Sequence, residues 1–171
     1  LQTNGKKLSP RHLEIGLQAE LDLTDVVTDN DSSLFLLANS SIKKTSDILL
    51  KRINTNGHTL TLNSAITSLK AENIYLAEND NSSSSTSNTG KLVAQGVDVT
   101  LTNKLWVDNG TIEMGGGTLT LEKGGGLGNG EIDLSNSTLE LAGPFINDGG
   151  TLTTSASTLR LKANVLFLLG N

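Results

Sequence analysis

The chain contains no cysteine. That excludes a disulfide scaffold, a cysteine-ligated zinc finger and thiol catalysis together. Proline is nearly as scarce, with two residues in 171, and only 3% of the residues are aromatic. Any core must therefore be built from Leu, Ile, Val and Ala. No apolar run approaches the length of a membrane-spanning helix; the longest are LFLLA at 34–38 and VLFLL at 165–169. A basic face is missing too. The net charge is −5, which argues against a general nucleic-acid binder, so neither nucleic acid nor membrane insertion is expected. No leader pattern precedes Leu1, so the chain reads as a mature product or an excised piece. Its length fits one domain, residues 1–171.

Glycine, by contrast, occurs 18 times, and Thr, Ser and Asn are plentiful. This is the composition of strands and turns. Residues 115–126 read GGGTLTLEKGGG, a four-residue strand signal between two glycine triplets. TLTL at 118–121 recurs as TLEL at 138–141 and TLRL at 158–161, with DVTL at 98–101 one step earlier. Each step is 20 residues. Apolar columns follow at Val99, Leu119, Leu139, Leu159; at Leu101, Leu121, Leu141, Leu161; and at Leu92, Ile112, Ile132, Leu152. A looser one joins Leu105, Gly125, Phe145 and Val165, and a glycine column joins Gly90, Gly110, Gly130, Gly150 and Gly170.

A 20-residue unit of short strands and glycine turns predicts an all-β fold: a single-stranded right-handed parallel β-helix with coils of about 20 residues. Leu119 and Leu121 point inward and Thr118 and Thr120 outward. One coil cannot bury its leucines, but coils stacked about 4.8 Å apart form a continuous aliphatic ladder. The glycine column is expected to mark a corner, with positive φ at several of Gly110, Gly130 and Gly150. The regular coils span 91–171. Before residue 90 the period loosens. TLTL recurs at 59–62, and Ile53, Leu60, Leu62 and Ile66 keep the spacing of Leu92, Val99, Leu101 and Leu105. That spacing places Leu60 two coils, less one residue, before Val99. The polar stretch 78–90, ENDNSSSSTSNTG, reads as a protruding loop or a coil with one degraded wall. SLFLL (33–37) and DILLKRI (47–53) read as wall strands of irregular coils. Residues 1–32 are read as capping or irregular first coils. Within them HLEIGLQAELDL (12–23) alternates as a strand, and a short capping helix starting at Ser9 and Pro10 is the other reading.

SLKAENIYLAEN (68–79) and NGTIEMGGGTLTL (109–121) resemble the passenger repeats of large bacterial surface proteins, the autotransporter and filamentous-haemagglutinin-like families. The resemblance covers roughly residues 50–171 and is one of repeat style. It implies extracellular display with an adhesive or scaffolding role, and a host or surface glycan or protein as ligand. It carries over no catalytic residue.

The outward residues offer one cluster of candidate chemistry. Glu113 and Asp133 share a column, and Glu131 lies on the same face; three carboxylates in reach suit calcium or an acid/base pair. Their other neighbours are mostly threonines, Thr111, Thr151 and Thr153. The one base in these columns, Lys91, is two coils from Glu131, about 10 Å. A solvated acidic face is the simpler reading. Glu140 beside Arg160 reads as a surface ion pair. GGLGN (125–129) lacks the Asp of the glycine-rich calcium repeat GGxGxD and occurs once. Only one of the four regular coils carries Thr-x-Thr, which argues against an ice-binding face. His12 and His58 have no partner at metal spacing. No catalytic, cofactor-binding or metal residue is assigned, and no enzymatic activity is expected.

The resulting expectation is a rigid structural or adhesive segment of a secreted or surface-displayed bacterial protein, presenting loops for binding; a polysaccharide-active enzyme of lyase, hydrolase or tailspike type is the alternative. VLFLL at 165–169, with Leu166 and Leu168, reads as an apolar uncapped edge. It is expected to be covered by further coils of a longer chain or by end-to-end stacking of copies into a fibre.

Overall fold

The computed structural model describes residues 10–16, 18, 20–76, 89–162 and 165–169. Among them the fold is an all-β parallel solenoid with turns of about 20 residues and no helix. Its strands stack into three walls of eight, seven and four strands. Every pairing is parallel, each strand bonding to its equivalent one coil away. The eight-stranded wall ends in Asp98–Leu101, Thr118–Leu121, Thr138–Leu141 and Thr158–Leu161. The seven-stranded wall includes Thr59–Leu62, Lys91–Val93, Thr111–Glu113, Glu131–Asp133 and Thr151–Thr153. The four-stranded wall comprises Leu105–Val107, Gly125–Leu127, Phe145–Asn147 and Phe167–Leu169. In earlier coils the strands Ile48–Asn54 and Ser68–Tyr75 are seven and eight residues long, and among the described residues no separate third wall accompanies them.

The inward columns are those the 20-residue period predicts. Leu119 pairs with Val99 and Leu139, and Leu121 with Leu101 and Leu141. Ile112 pairs with Leu92 and Ile132. All of these are buried. Each enclosed leucine or isoleucine contributes about 1.5–3 kcal/mol relative to exposure, but only because a neighbouring rung covers it. On the last rung of the eight-stranded wall Leu159 and Leu161 are 46% and 51% exposed.

Two expected registers are corrected. The strand Thr59–Leu62 belongs to the seven-stranded wall, where Leu60 pairs with Leu92. Val99 pairs instead with Leu69. Leu60 is therefore one coil before Leu92 and shares no column with Val99. The alternation T-L-T-L fits any wall with one buried face, so it does not by itself identify which wall it builds. Second, Phe145 pairs with Phe167, not Val165, because the last coil is two residues longer. Leu168 partners Ile146 on the outward face, and the strand Phe167–Leu169 is the last of its wall, with Leu166 and Leu168 56% and 45% exposed.

The corners are also corrected. Of Gly110, Gly130 and Gly150, only Gly110 has positive φ, at 102°. This column is glycine for close approach. A Cβ on Gly130 would lie 2.6 Å from the Val107 carbonyl oxygen, and one on Gly150 2.6 Å from the Leu127 Cβ. The recurring left-handed corner lies elsewhere, between the seven- and eight-stranded walls. It is formed by Gly96 (φ 74°), Gly116 (113°), Asn136 (58°) and Ala156 (53°), each 20 residues from the last. Turn bonds from Val97 N to Ala94 O, Ser137 N to Leu134 O and Ser157 N to Thr154 O close three of these corners.

SLFLL and DILLKRI form the strands Ser33–Leu36 and Ile48–Asn54. HLEIGLQAELDL forms two strands, His12–Ile15 and Glu20–Asp22, on different walls. Ser9 lies outside the described residues, as do Gly170 and all of 78–90 except Thr89 and Gly90.

Candidate functional site

The carboxylates singled out from the sequence do come together. Strand pairing sets Glu113 beside Asp133 and Thr111 beside both Glu131 and Lys91. Lys91 is two rungs from Glu131, but its long side chain reaches diagonally to the Glu113 carboxylate and forms an ion pair. Gln95 Nε2 donates to Glu113 Oε1 at 3.2 Å. Asp133 Oδ1 accepts the Ser135 backbone N–H at 2.9 Å and its hydroxyl at 2.6 Å. Both acids are held below the usual carboxylate range. For Glu113 the leading causes are the hydrogen bonds from Lys91 and Gln95; for Asp133 they are the bonds from the Ser135 side chain and backbone. A general acid needs the opposite shift, a carboxyl kept protonated near neutrality. Glu113 and Asp133 are thus ionised, hydrogen-bonded surface groups. Among the described residues no three His, Cys, Asp or Glu side chains are grouped to hold a metal ion.

The remaining sequence candidates have local roles. Glu140 and Arg160 are register partners, but the Glu140 carboxylate pairs with Lys162 Nζ at 2.6 Å, in place of the expected Arg160 pair. His12 stacks on Phe35 with ring centroids 4.5 Å apart, and its Nε2 meets Glu14 Oε1 at 2.8 Å. The His58 carbonyl accepts the Lys91 N–H. GGLGN contributes the strand Gly125–Leu127, with Leu127 buried. The outward face of Thr118 and Thr120 adjoins Thr138, Glu140 and Thr100, and the Asp98 carboxylate accepts the Thr118 N–H at 2.7 Å.

Two features escape a reading that looks for apolar columns and acid clusters. Lys44 is only 6% exposed. It continues the inward alternation of Ser40 and Ile42 and is one lining residue of a cleft of about 170 Å³ that also includes Thr24, Thr28 and Ser46. Its ammonium donates to Thr28 Oγ1 at 3.3 Å, and burial pushes its pKa down. The alternation of SSIKK carried that signal, with a lysine at the third inward position. The second feature is Trp106, 49% exposed on the outside of the four-stranded wall. Aligning outward rather than inward positions at the 20-residue step would have placed it over Gly126. A shallow polar cleft of about 270 Å³ lies on the seven-stranded wall, lined by Gln18, Asn39, Ser40, Ser41, Thr59 and Thr61.

Comparison of the chain with protein-family models, with curated proteins and with solved structures finds no match.

Proposed function

We propose that this chain is a structural rod segment of a secreted or surface-displayed bacterial protein, of the autotransporter or filamentous-haemagglutinin-like kind, with an adhesive outer surface. The observation that carries this reading is the continuity of the inward ladder. Its columns run rung after rung up to Leu159 and Leu161, which are half-exposed on the last rung of their wall. A stack of this kind is stiff because every rung is hydrogen-bonded to its neighbour along its length, and its length scales with coil number. Outward side chains are free to vary and to bind. The engaged state of Glu113 and Asp133 supports a rod over a polysaccharide-cleaving enzyme, since neither is a free acid facing a free base.

Two measurements test the reading. Sedimentation velocity over a concentration series should show end-to-end association that the paired change Leu159→Lys and Leu161→Lys removes without loss of fold. Incubation with neutral and acidic polysaccharides should release no new reducing or unsaturated ends. A chain that stays monomeric at every concentration, or one that cleaves a polysaccharide, would overturn the proposal.

A further inference from the structure

The four-stranded wall presents an outward column of Trp106, Gly126, Ile146 and Leu168, fixed by consecutive parallel registers. Gly126 has no side chain, and the indole occupies the space one would take. A Cβ built there would stand 3.0 Å from Cε3 of Trp106 and overlap Cζ3. The indole N–H donates to Asp108 Oδ1 at 2.5 Å. The ring is thus held in one orientation, over a bare stretch of backbone, while the residue stays 49% exposed. Ile146, one rung past Gly126, is 39% exposed, and Asp148 follows it at the position that Asp108 holds after Trp106.

The geometry points to Trp106 as the stacking platform of a binding site for a neutral glycan, with Asp108 accepting a sugar hydroxyl at its second carboxylate oxygen. Three considerations select this occupant. The first is size: half of an indole leaves roughly 100 Å² of aromatic surface in water, whereas a stable protein interface needs about 800 Å² on each side. One pyranose ring matches one indole. The second is chemistry. The axial C–H groups of a pyranose carry partial positive charge and meet the negative face of the ring. The third is charge: Asp108 and Asp148 accept hydroxyl protons and repel phosphorylated or acidic sugars, as does a chain of net charge −5.

This inference rests on the adhesive reading above and deepens it. Rod assembly is read by sedimentation and glycan binding by fluorescence, so either can fail alone. The chain has a single tryptophan, whose emission reports directly on the site. Cellohexaose and chitohexaose are suitable probes, because their equatorial hydroxyls leave flat C–H faces. Titrating the full chain with at least one of them should give a saturable emission shift. By calorimetry Trp106→Ala should weaken binding about tenfold, Trp106→Phe less, and Asp108→Ala severalfold. The melting temperature of each variant should stay near that of the parent chain. No saturable shift with either sugar at about 10 mM, a Trp106→Ala variant that binds as well as the parent, or a response to choline with none to the sugars would overturn it.

Discussion

Leu60 and Leu92 are register partners on adjacent rungs of the seven-stranded wall, both fully buried, at a step of 32 residues along the chain. The regular coils need 20, as from Leu92 to Ile112. The surplus of 12 matches the length of 77–88. Leu76 and Gly90, on either side of it, lie together: a Cβ on Gly90 would overlap the Leu76 carbonyl oxygen. Replacing 77–88 by two glycines should therefore keep the fold and raise stability by about 1 kcal/mol through the shorter closure. Urea denaturation with an unchanged slope would bear this out, and loss of the cooperative transition would refute it.

Ala156 occupies the left-handed corner that Gly96 and Gly116 fill elsewhere. An L-residue with a Cβ is strained there. Ala156→Gly should stabilise the chain by about 0.5–1 kcal/mol, and Gly116→Ala should destabilise it by about 1 kcal/mol. Thermal melts of the two variants should shift in opposite directions.

Gly130 has the other requirement. Its neighbour is the Val107 carbonyl, and an added Cβ would also overlap the Val107 side chain. Gly130→Ala should cost about 1–3 kcal/mol, because both rungs must shift to admit it. A variant as stable as the parent in urea would contradict the close-approach account.

Acid should loosen the Lys91 and Glu113 pair. The folded-state pKa of Glu113 lies below its ordinary value near 4.5, and that of Asp133 below 3.8. Both groups therefore add stability that is complete above those values and is lost as pH falls through the depressed ones. Lys91→Met removes the leading cause at Glu113. Stability near neutral pH should fall by less than about 1 kcal/mol, because both partners touch solvent. The slope of stability below pH about 4.5 should flatten. An unchanged acid slope would count against the pair.

Lys44 destabilises where Glu113 and Asp133 stabilise, and its pH effect falls in the alkaline range. Burial lowers its folded-state pKa, so the charge opposes folding at neutral pH and the penalty fades as pH rises toward 10.5. Lys44→Met should stabilise the chain by about 1 kcal/mol at pH 7, since Thr28 Oγ1 keeps the Leu49 N–H as donor at 3.1 Å. A loss of stability would show that the ammonium has a structural role.

The inward columns of residues 91–161 were legible because identical residues recur at one period and the register follows from it. Leu60 was not assignable from pattern alone, since an alternating strand looks the same on every wall. The glycine column was visible, but its cause was not: sequence shows that a Cβ is absent, not whether φ or a neighbour excludes it. The true left-handed column was hidden because it mixes Gly, Asn and Ala. On the outer surface, counting rungs located Glu113 and Asp133 correctly. It missed Lys91 at Glu113, because a lysine side chain spans a rung diagonally. Trp106 was overlooked because its partner in the column is a glycine, which contributes no side chain to notice.

Removing one whole coil tests the account most directly. Deleting 111–130 joins Gly110 to Glu131 at equivalent positions of adjacent rungs, since Thr111 and Glu131 are register partners. If the chain is a stack of interchangeable rungs, small-angle scattering should show an unchanged cross-section and a particle about 4.8 Å shorter, with strand content and a cooperative melt retained. Collapse to an unfolded chain, or a change of cross-section in place of length, would contradict it.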